Sequence, residues 1–271
     1  MLSILNSVSS LQAENAIANT TNALNSNLEQ LSTGLRINSG SDDAAGLSIV
    51  DGIQANIAGL TQSSNNASEG VGMLQTADGA LSQVTALLNR AVTLATEASN
   101  GGLSTTQSTA LQTEYAAIQA EINNIGTTTD FNGTAVFGSA GSVFESDGTT
   151  SSTISTAVAA LSSKGLGLTT TGTPLSTSAG AQAELTLIDT AVNTVAADRG
   201  TIGATVNQLT ASQSVESAAV TNLTSAEDSI QNADVGQVVA QMTQNSVLEQ
   251  TGMAALSQSN QIQQNVLKLV Q

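Results

Sequence analysis

Apolar side chains recur at helical spacing over most of this chain, and the pattern is thinnest at its two ends. Near the N-terminus Leu24, Leu28, Leu31 and Leu35 follow one another at steps of three and four. Near the C-terminus Val235, Val238, Met242, Met253, Leu256, Leu267 and Val270 keep to a similar stripe, and Asn, Gln and Ser fill the positions it skips. Such spacing holds apolar groups on one side of a helix. Stripes this narrow do not hold a helix alone in water. Each needs a partner, either the other stripe or another copy of the chain. The pattern therefore predicts paired terminal helices with an assembly seam at Leu24, Leu28, Leu31, Leu35, Met242, Met253, Leu256, Leu267 and Val270.

Between the ends the periodicity is stronger. A first helix is predicted from about Ser3 to Thr33. The segment 34–46 then breaks the period with glycines and an Asn/Ser/Asp cluster, reading as an ordered connector with Ser41 or Asp42 as the next N-cap. A long helix carries Leu60, Ala67, Val71, Leu74, Leu81, Val84, Leu88, Ala91 and Ala95, and Asn100-Gly101-Gly102 ends it. A third helix carries Leu111, Tyr115, Ile118, Ile122 and Ile125. Thr127 to Phe137, with Asn132-Gly133 at its centre, predicts a β-hairpin. Residues 138–181 are rich in Gly, Ser and Thr and lack helical period, which fits short strands or a loop. The period returns through Leu185, Ile188, Val192, Val195, Ile202, Val206 and Leu209 and leads into the C-terminal stripe.

The predicted fold is mainly α. It is a long antiparallel helical bundle and coiled coil with paired terminal helices, a β-hairpin and a short Gly/Ser/Thr-rich insertion. The expected domains are an inner terminal-helix pair (1–33 and 236–271) and a connector (34–46). An outer helical bundle with the hairpin (47–137 and 182–235) carries a short, variable, surface-exposed insertion (138–181).

Composition sharpens this picture. Hydrophobic residues make up 40% of the 271 positions but aromatics only 1%, so the core is aliphatic and suits a thin bundle. A single Pro favours unbroken helices. Net charge is −16 with only five basic residues, scattered along the chain, which argues against nucleic acid and against anionic membranes. Mutual repulsion should make assembly salt-dependent. With no Cys and no His, disulfides, thiol nucleophiles and zinc sites of the usual kind are excluded, no His is available as a base, and Lys164 and Lys268 sit far apart in sequence. The chain reads as a non-enzyme with no cofactor and no metal. No apolar run precedes Arg36, so no cleaved secretory signal is expected. The acids and glycines of 40–46 match neither a P-loop nor an EF-hand and read as structural.

Several stretches resemble bacterial flagellin. They are Leu28-Glu-Gln-Leu-Ser-Thr-Gly-Leu-Arg-Ile-Asn-Ser39, Asp42-Asp-Ala-Ala-Gly-Leu47, Gly59-Leu-Thr-Gln62 and the Phe131-Asn-Gly133 hairpin. Arg199, Gly203, Ala204, Asn207 and Leu209 are similar to a second family pattern. Gln250, Gly252, Leu256, Gln258, Asn260, Gln264 and Leu267 are similar to the terminal one. The resemblance covers about 1–137 and 183–271. It implies a structural subunit that polymerises with itself into an extracellular filament, exported without a cleaved signal peptide. It also implies an export chaperone, a filament cap and hook-junction proteins as partners. Leu88 to Ala95 aligns with the helix patch recognised by a vertebrate toll-like receptor, which makes Arg90, Leu94 and Glu114 a candidate innate-receptor patch. The rival readings are a hook–filament junction protein and a secreted adhesin or binding module.

Overall fold

The computed structural model describes residues 8–146, 151–169 and 172–270. Five helices dominate it: α1 (Val8–Thr33), α2 (Ala44–Ala98), α3 (Thr105–Thr128), α4 (Ser178–Gln231) and α5 (Val235–Val270). Two antiparallel hairpins lie between α3 and α4. They are β1 (Asp130–Phe131) with β2 (Thr134–Ala135), and β3 (Ser142–Ser146) with β4 (Ser151–Ser155). Pro174–Ser176 forms a single 3-10 turn ahead of α4. Contacts divide the chain into two compact units, Met1–Ala55 with Asn222–Gln271, and Asn56–Thr221.

These helices are rich in Thr and Ser, which are indifferent helix formers. Many of the hydroxyls satisfy themselves on the carbonyl one turn back, as at Thr85, Thr113, Thr194 and Thr210. The helix ends follow local chemistry. Ser104 and Gln107 form a capping box at the start of α3. The N-cap of α2 is Asp43, not Ser41 or Asp42. Asp43 Oδ1 accepts from the Ala45 and Gly46 N–H groups at 3.1 and 2.9 Å. Asp42 instead turns back, and its Oδ2 accepts from the Asn38 and Ser39 N–H groups and from Ser39 Oγ. That closes the loop before the helix begins. The expected hairpin is present with Asn132 (φ 53°) and Gly133 (φ 76°) at its turn, the left-handed pair a two-residue hairpin of primed type demands.

The core of the Asn56–Thr221 unit is aliphatic. Leu74, Leu81, Leu88 and Leu94 of α2 are buried with Ile118 and Ile122 of α3 and Ile188, Val195, Ile202 and Leu209 of α4. Asp78 and Arg199 pair α2 with α4 in a two-pronged ion pair of 2.7 and 3.2 Å. Buried Tyr115 on α3 donates its hydroxyl to Glu184 on α4, whose same oxygen accepts the Thr169 N–H.

Residues 138–181, expected as a surface-exposed insertion, keep many exposed positions but also send apolar side chains into this core. Val143, Ile154, Val158, Leu161, Leu166, Leu168 and Leu175 are all buried in the same cluster as the helices. β3–β4 and the segment after it lie along the bundle, held by Asn66 Nδ2 donating to the Phe144 carbonyl and by the Ser163 N–H donating to Asn123 Oδ1. Burying each such side chain stabilises by about 1.5–3 kcal/mol, so the segment contributes to the core instead of decorating it.

A direct check is Leu175→Ala. Its side chain is fully buried, so the variant should lose about 2–5 kcal/mol of stability, as Leu81→Ala should. Equilibrium unfolding in urea measures both. An unchanged midpoint for Leu175→Ala would restore the view of a dispensable insertion.

Candidate assembly interface

The unit Met1–Ala55 with Asn222–Gln271 is built on the pairing of α1 with α5. Two contacts fix how they meet. The Ser10 and Ser259 hydroxyls lie 3.0 Å apart, and a Cβ placed on Gly252 would sit 2.9 Å from Ile17 Cγ1. Both contacts fall in one antiparallel register. The shielded positions follow it: Ser10, Ala13, Ile17, Thr20, Leu24, Asn27 and Leu31 on α1, and Val238, Met242, Asn245, Glu249, Gly252, Leu256 and Ser259 on α5. Both sets alternate steps of three and four, which is the heptad seam of a coiled coil.

That seam is half polar. Ser10, Thr20, Asn27, Asn245, Glu249 and Ser259 occupy heptad positions where a stable pair would carry Leu or Ile. Asn27 is buried and its Nδ2 has no hydrogen-bond partner among the described residues. Meanwhile large apolar residues stand outside the seam. Leu28 is 47% exposed and Met253 51%, and Leu11, Val235, Val239, Val247, Leu248 and Ile262 are exposed as well. At 100° per residue, Val235, Val239 and Met253 fall on one flank of α5, and Leu248 and Ile262 on another.

The structure thus places the expected seam residues differently from one another. It brings Leu24, Leu31, Met242 and Leu256 onto the shielded seam, while Leu28 and Met253 face outward. Leu35 belongs to the connector, where it bridges Asn232. The side chains of Leu267 and Val270 lie outside the described residues. Sequence reasoning missed Ile17, Asn27 and Gly252. Their heptad spacing was there to be found, but two of the three are not residues that mark a hydrophobic stripe.

The connector is stitched to the break between α4 and α5. The Arg36 N–H donates to the Gln231 carbonyl, Arg36 Nη2 to the Ile230 carbonyl, and the Ala233 N–H to the Gly34 carbonyl. Gly34 ends α1 at φ 75°, a left-handed position that glycine takes without strain. Ile37 is buried beneath these bonds. α1 and α5 therefore leave the same small knot of backbone, which sets them side by side.

The patch at Arg90, Leu94 and Glu114 lies in the Asn56–Thr221 unit. Arg90 on α2 clasps Glu114 on α3 at 2.6 and 3.0 Å, on the surface. The Arg90 guanidinium holds the Glu114 carboxyl below its ordinary range. Leu94 is fully buried, so the structure does not present its side chain alongside the pair.

The family model described as bacterial flagellin N-terminal helical region matches residues 4–141, and that of the bacterial flagellin C-terminal helical region matches residues 185–270. The chain belongs to the bacterial flagellin family. It is a structural subunit of the flagellar filament. It is 30% identical to the flagellin of Bacillus subtilis (strain 168), over 98% of this chain and 99% of that one. It is 43% identical to the flagellin of Serratia marcescens, over 42% of this chain and 33% of that protein. A crystal structure of Bacillus cereus flagellin is similar at a TM-score of 0.49 and 30% identity, covering 56% of this chain and 88% of that one. Among the described residues of this flagellin no helix is long and apolar enough to cross a membrane.

Two predictions follow from this geometry. Asn27→Leu removes an unsatisfied buried amide, which costs about 1–3 kcal/mol, and should raise the melting temperature of the α1/α5 pair in circular dichroism. An unchanged or lower melt would show that the amide is satisfied in solution. The second concerns pH. The Glu114 carboxyl is depressed from 4.5 in the folded chain, so the pair stabilises above that value and the effect is lost as pH falls through the folded pKa. Arg90→Gln should return the Glu114 titration, followed by carboxyl NMR, to the ordinary range. A Glu114 titration that does not move would show that the clasp is absent in solution.

Proposed function

We propose that this flagellin polymerises by covering the outward apolar residues of α1 and α5 with the same helices of neighbouring copies. The observation that carries the reading is the mismatch in that unit: polar residues line the intrachain seam while Leu28, Val239, Leu248, Met253 and Ile262 face solvent. Exposed apolar area of this kind is stabilised when removed from water, at about 25 cal/mol per Å². Because the residues lie on more than one flank of α5, each subunit meets more than one neighbour, as a helical lattice requires. Carried into the polymer, the α1/α5 pairs form its interior.

The acidic composition sets the conditions. At a net charge of −16, copies repel one another in dilute buffer, and salt screens that repulsion within a Debye length of about 10 Å at 0.1 M. Salt also strengthens apolar association. Assembly should therefore begin at lower protein concentration as salt rises.

The resemblance supports the rest of the reading. The subunit passes to the cell exterior without a cleaved signal peptide, with an export chaperone, a filament cap and hook-junction proteins as partners. Catalysis forms no part of the role. An innate receptor reading the Arg90, Leu94 and Glu114 patch would meet the exposed ion pair, since Leu94 is buried.

Leu28→Asp and Met253→Asp test the reading. Both sites are exposed in the subunit, so each variant should keep the wild-type far-ultraviolet spectrum and the melt of the Asn56–Thr221 unit. Electron microscopy after seeding in salt should show filaments for wild type and none for either variant. Wild-type filament yield from both variants would remove these faces from the interface.

A further inference from the structure

Two carboxylates lie inside the Asn56–Thr221 unit, and neither forms an ion pair among the described residues. Glu145 on β3 is 7% exposed and Glu216 on α4 is 4% exposed. Each has one oxygen accounted for: Ser212 Oγ donates to Glu145 Oε2 at 2.8 Å, and Ser63 Oγ donates to Glu216 Oε1. The other two oxygens, Glu145 Oε1 and Glu216 Oε2, are buried and accept no hydrogen bond among the described residues. Both residues line one cavity of about 220 Å³, with Ser152, Ser212, Leu60 and Val215.

Carboxylates removed from water are stable only when paired or coordinated, because burial strips the solvation of a full charge. The cations that pair elsewhere are committed: Arg199 to Asp78, Arg90 to Glu114 and Arg36 to the Ile230 carbonyl. Burial raises the Glu216 carboxyl above its ordinary range. The Ser63 hydroxyl opposes that, and the Glu145 charge adds to it. Two orphan acceptors on one cavity leave room for a positive group that both could bind.

We infer that Glu145 and Glu216 bind a hard divalent cation, calcium in preference to magnesium, supported by the hydroxyls of the cavity. The donors are all oxygen, which suits calcium or magnesium and gives nothing to metals that prefer nitrogen or sulfur. Two carboxylates on different elements, joined by hydroxyls, make an irregular set. Calcium accepts six to eight oxygens in flexible geometry, whereas magnesium demands a near-ideal octahedron. Bound there, the ion ties β3 to α4, and through Ser63 to α2, fastening the hairpin to the bundle. The inference does not rest on the assembly reading, since a soluble subunit would show it.

The test uses the full chain in metal-free buffer at pH 7.5. Calcium chloride, magnesium chloride and sodium chloride of matched ionic strength are added, and thermal unfolding is followed alongside calorimetric titration of the unmodified protein. Calcium should raise the melting temperature with a midpoint of about 0.1–1 mM, the range of extracellular sites, and titrate at one ion per chain. Magnesium should do less and sodium nothing. Glu145→Gln and Glu216→Gln should each lose the response, while Glu121→Gln, an exposed acid on α3, should keep it. An equal calcium response in all three variants would mean screening of surface charge and would overturn the site. No calcium heat, with a melting temperature that climbs as pH falls from 7 to 5, would also overturn it. That pattern would mean the two carboxylates share a proton.

Discussion

A pair of helices packed only against each other buries one stripe of each, and everything else in this flagellin is arranged around that limit. α1 and α5 meet along a single heptad seam, yet six of its fourteen shielded positions are Ser, Thr, Asn or Glu. Other large apolar residues, Leu11, Leu28, Val239, Leu248, Met253 and Ile262 among them, stand on faces that a lone subunit leaves in water. A seam this polar holds register more than it supplies stability, which is the documented use of a buried polar residue in a coiled coil. Asn27 is the clearest case. On the proposed assembly, the energetic reward for ordering these helices would lie in the next copy.

The rest of the molecule has the opposite economy. α2, α3 and α4 bury an unbroken aliphatic core, tied by the Asp78–Arg199 pair and the Tyr115–Glu184 bond. Residues 137–175 add apolar groups to the same core instead of leaving it. A subunit can thus hold a stable unit from Asn56 to Thr221 while its terminal pair stays conditional. Within the terminal unit, the connector from Gly34 to Asp43 is bonded to the α4–α5 break, which holds the end of α1 beside the start of α5.

Much of this was legible in the sequence, and the reasons for the gaps are physical. The stripe from Leu60 to Ala95 reads as one buried helix face because each residue lies on it, and all but half-buried Val71 are buried in the fold. The Asn132-Gly133 turn reads as a hairpin because few other residues accept its backbone angles. The β3–β4 docking was not legible. Val143, Ile154, Val158, Leu161 and Leu166 fall at irregular spacing among Gly, Ser and Thr, so no period announces that they share a face. The α2 cap went to Asp43 because Asp42 was already engaged by Asn38 and Ser39. The terminal stripe misled in part, since Leu28 turns away from the seam that holds Leu24 and Leu31, and Leu35 belongs to the connector. Glu145 and Glu216 were invisible as a pair, because only the folded hairpin brings β3 to α4.

The central claim is that α1 and α5 are stabilised by neighbouring copies, whereas α2, α3 and α4 stand on their own core. Hydrogen–deuterium exchange on the same protein as monomer and as filament tests it most directly. Amides of α1 and α5 should exchange rapidly in the monomer and become strongly protected in the filament, while amides of α2 to α4 are protected in both. Equal protection of α1 and α5 before and after assembly would contradict the account, because it would mean that the polar seam suffices by itself.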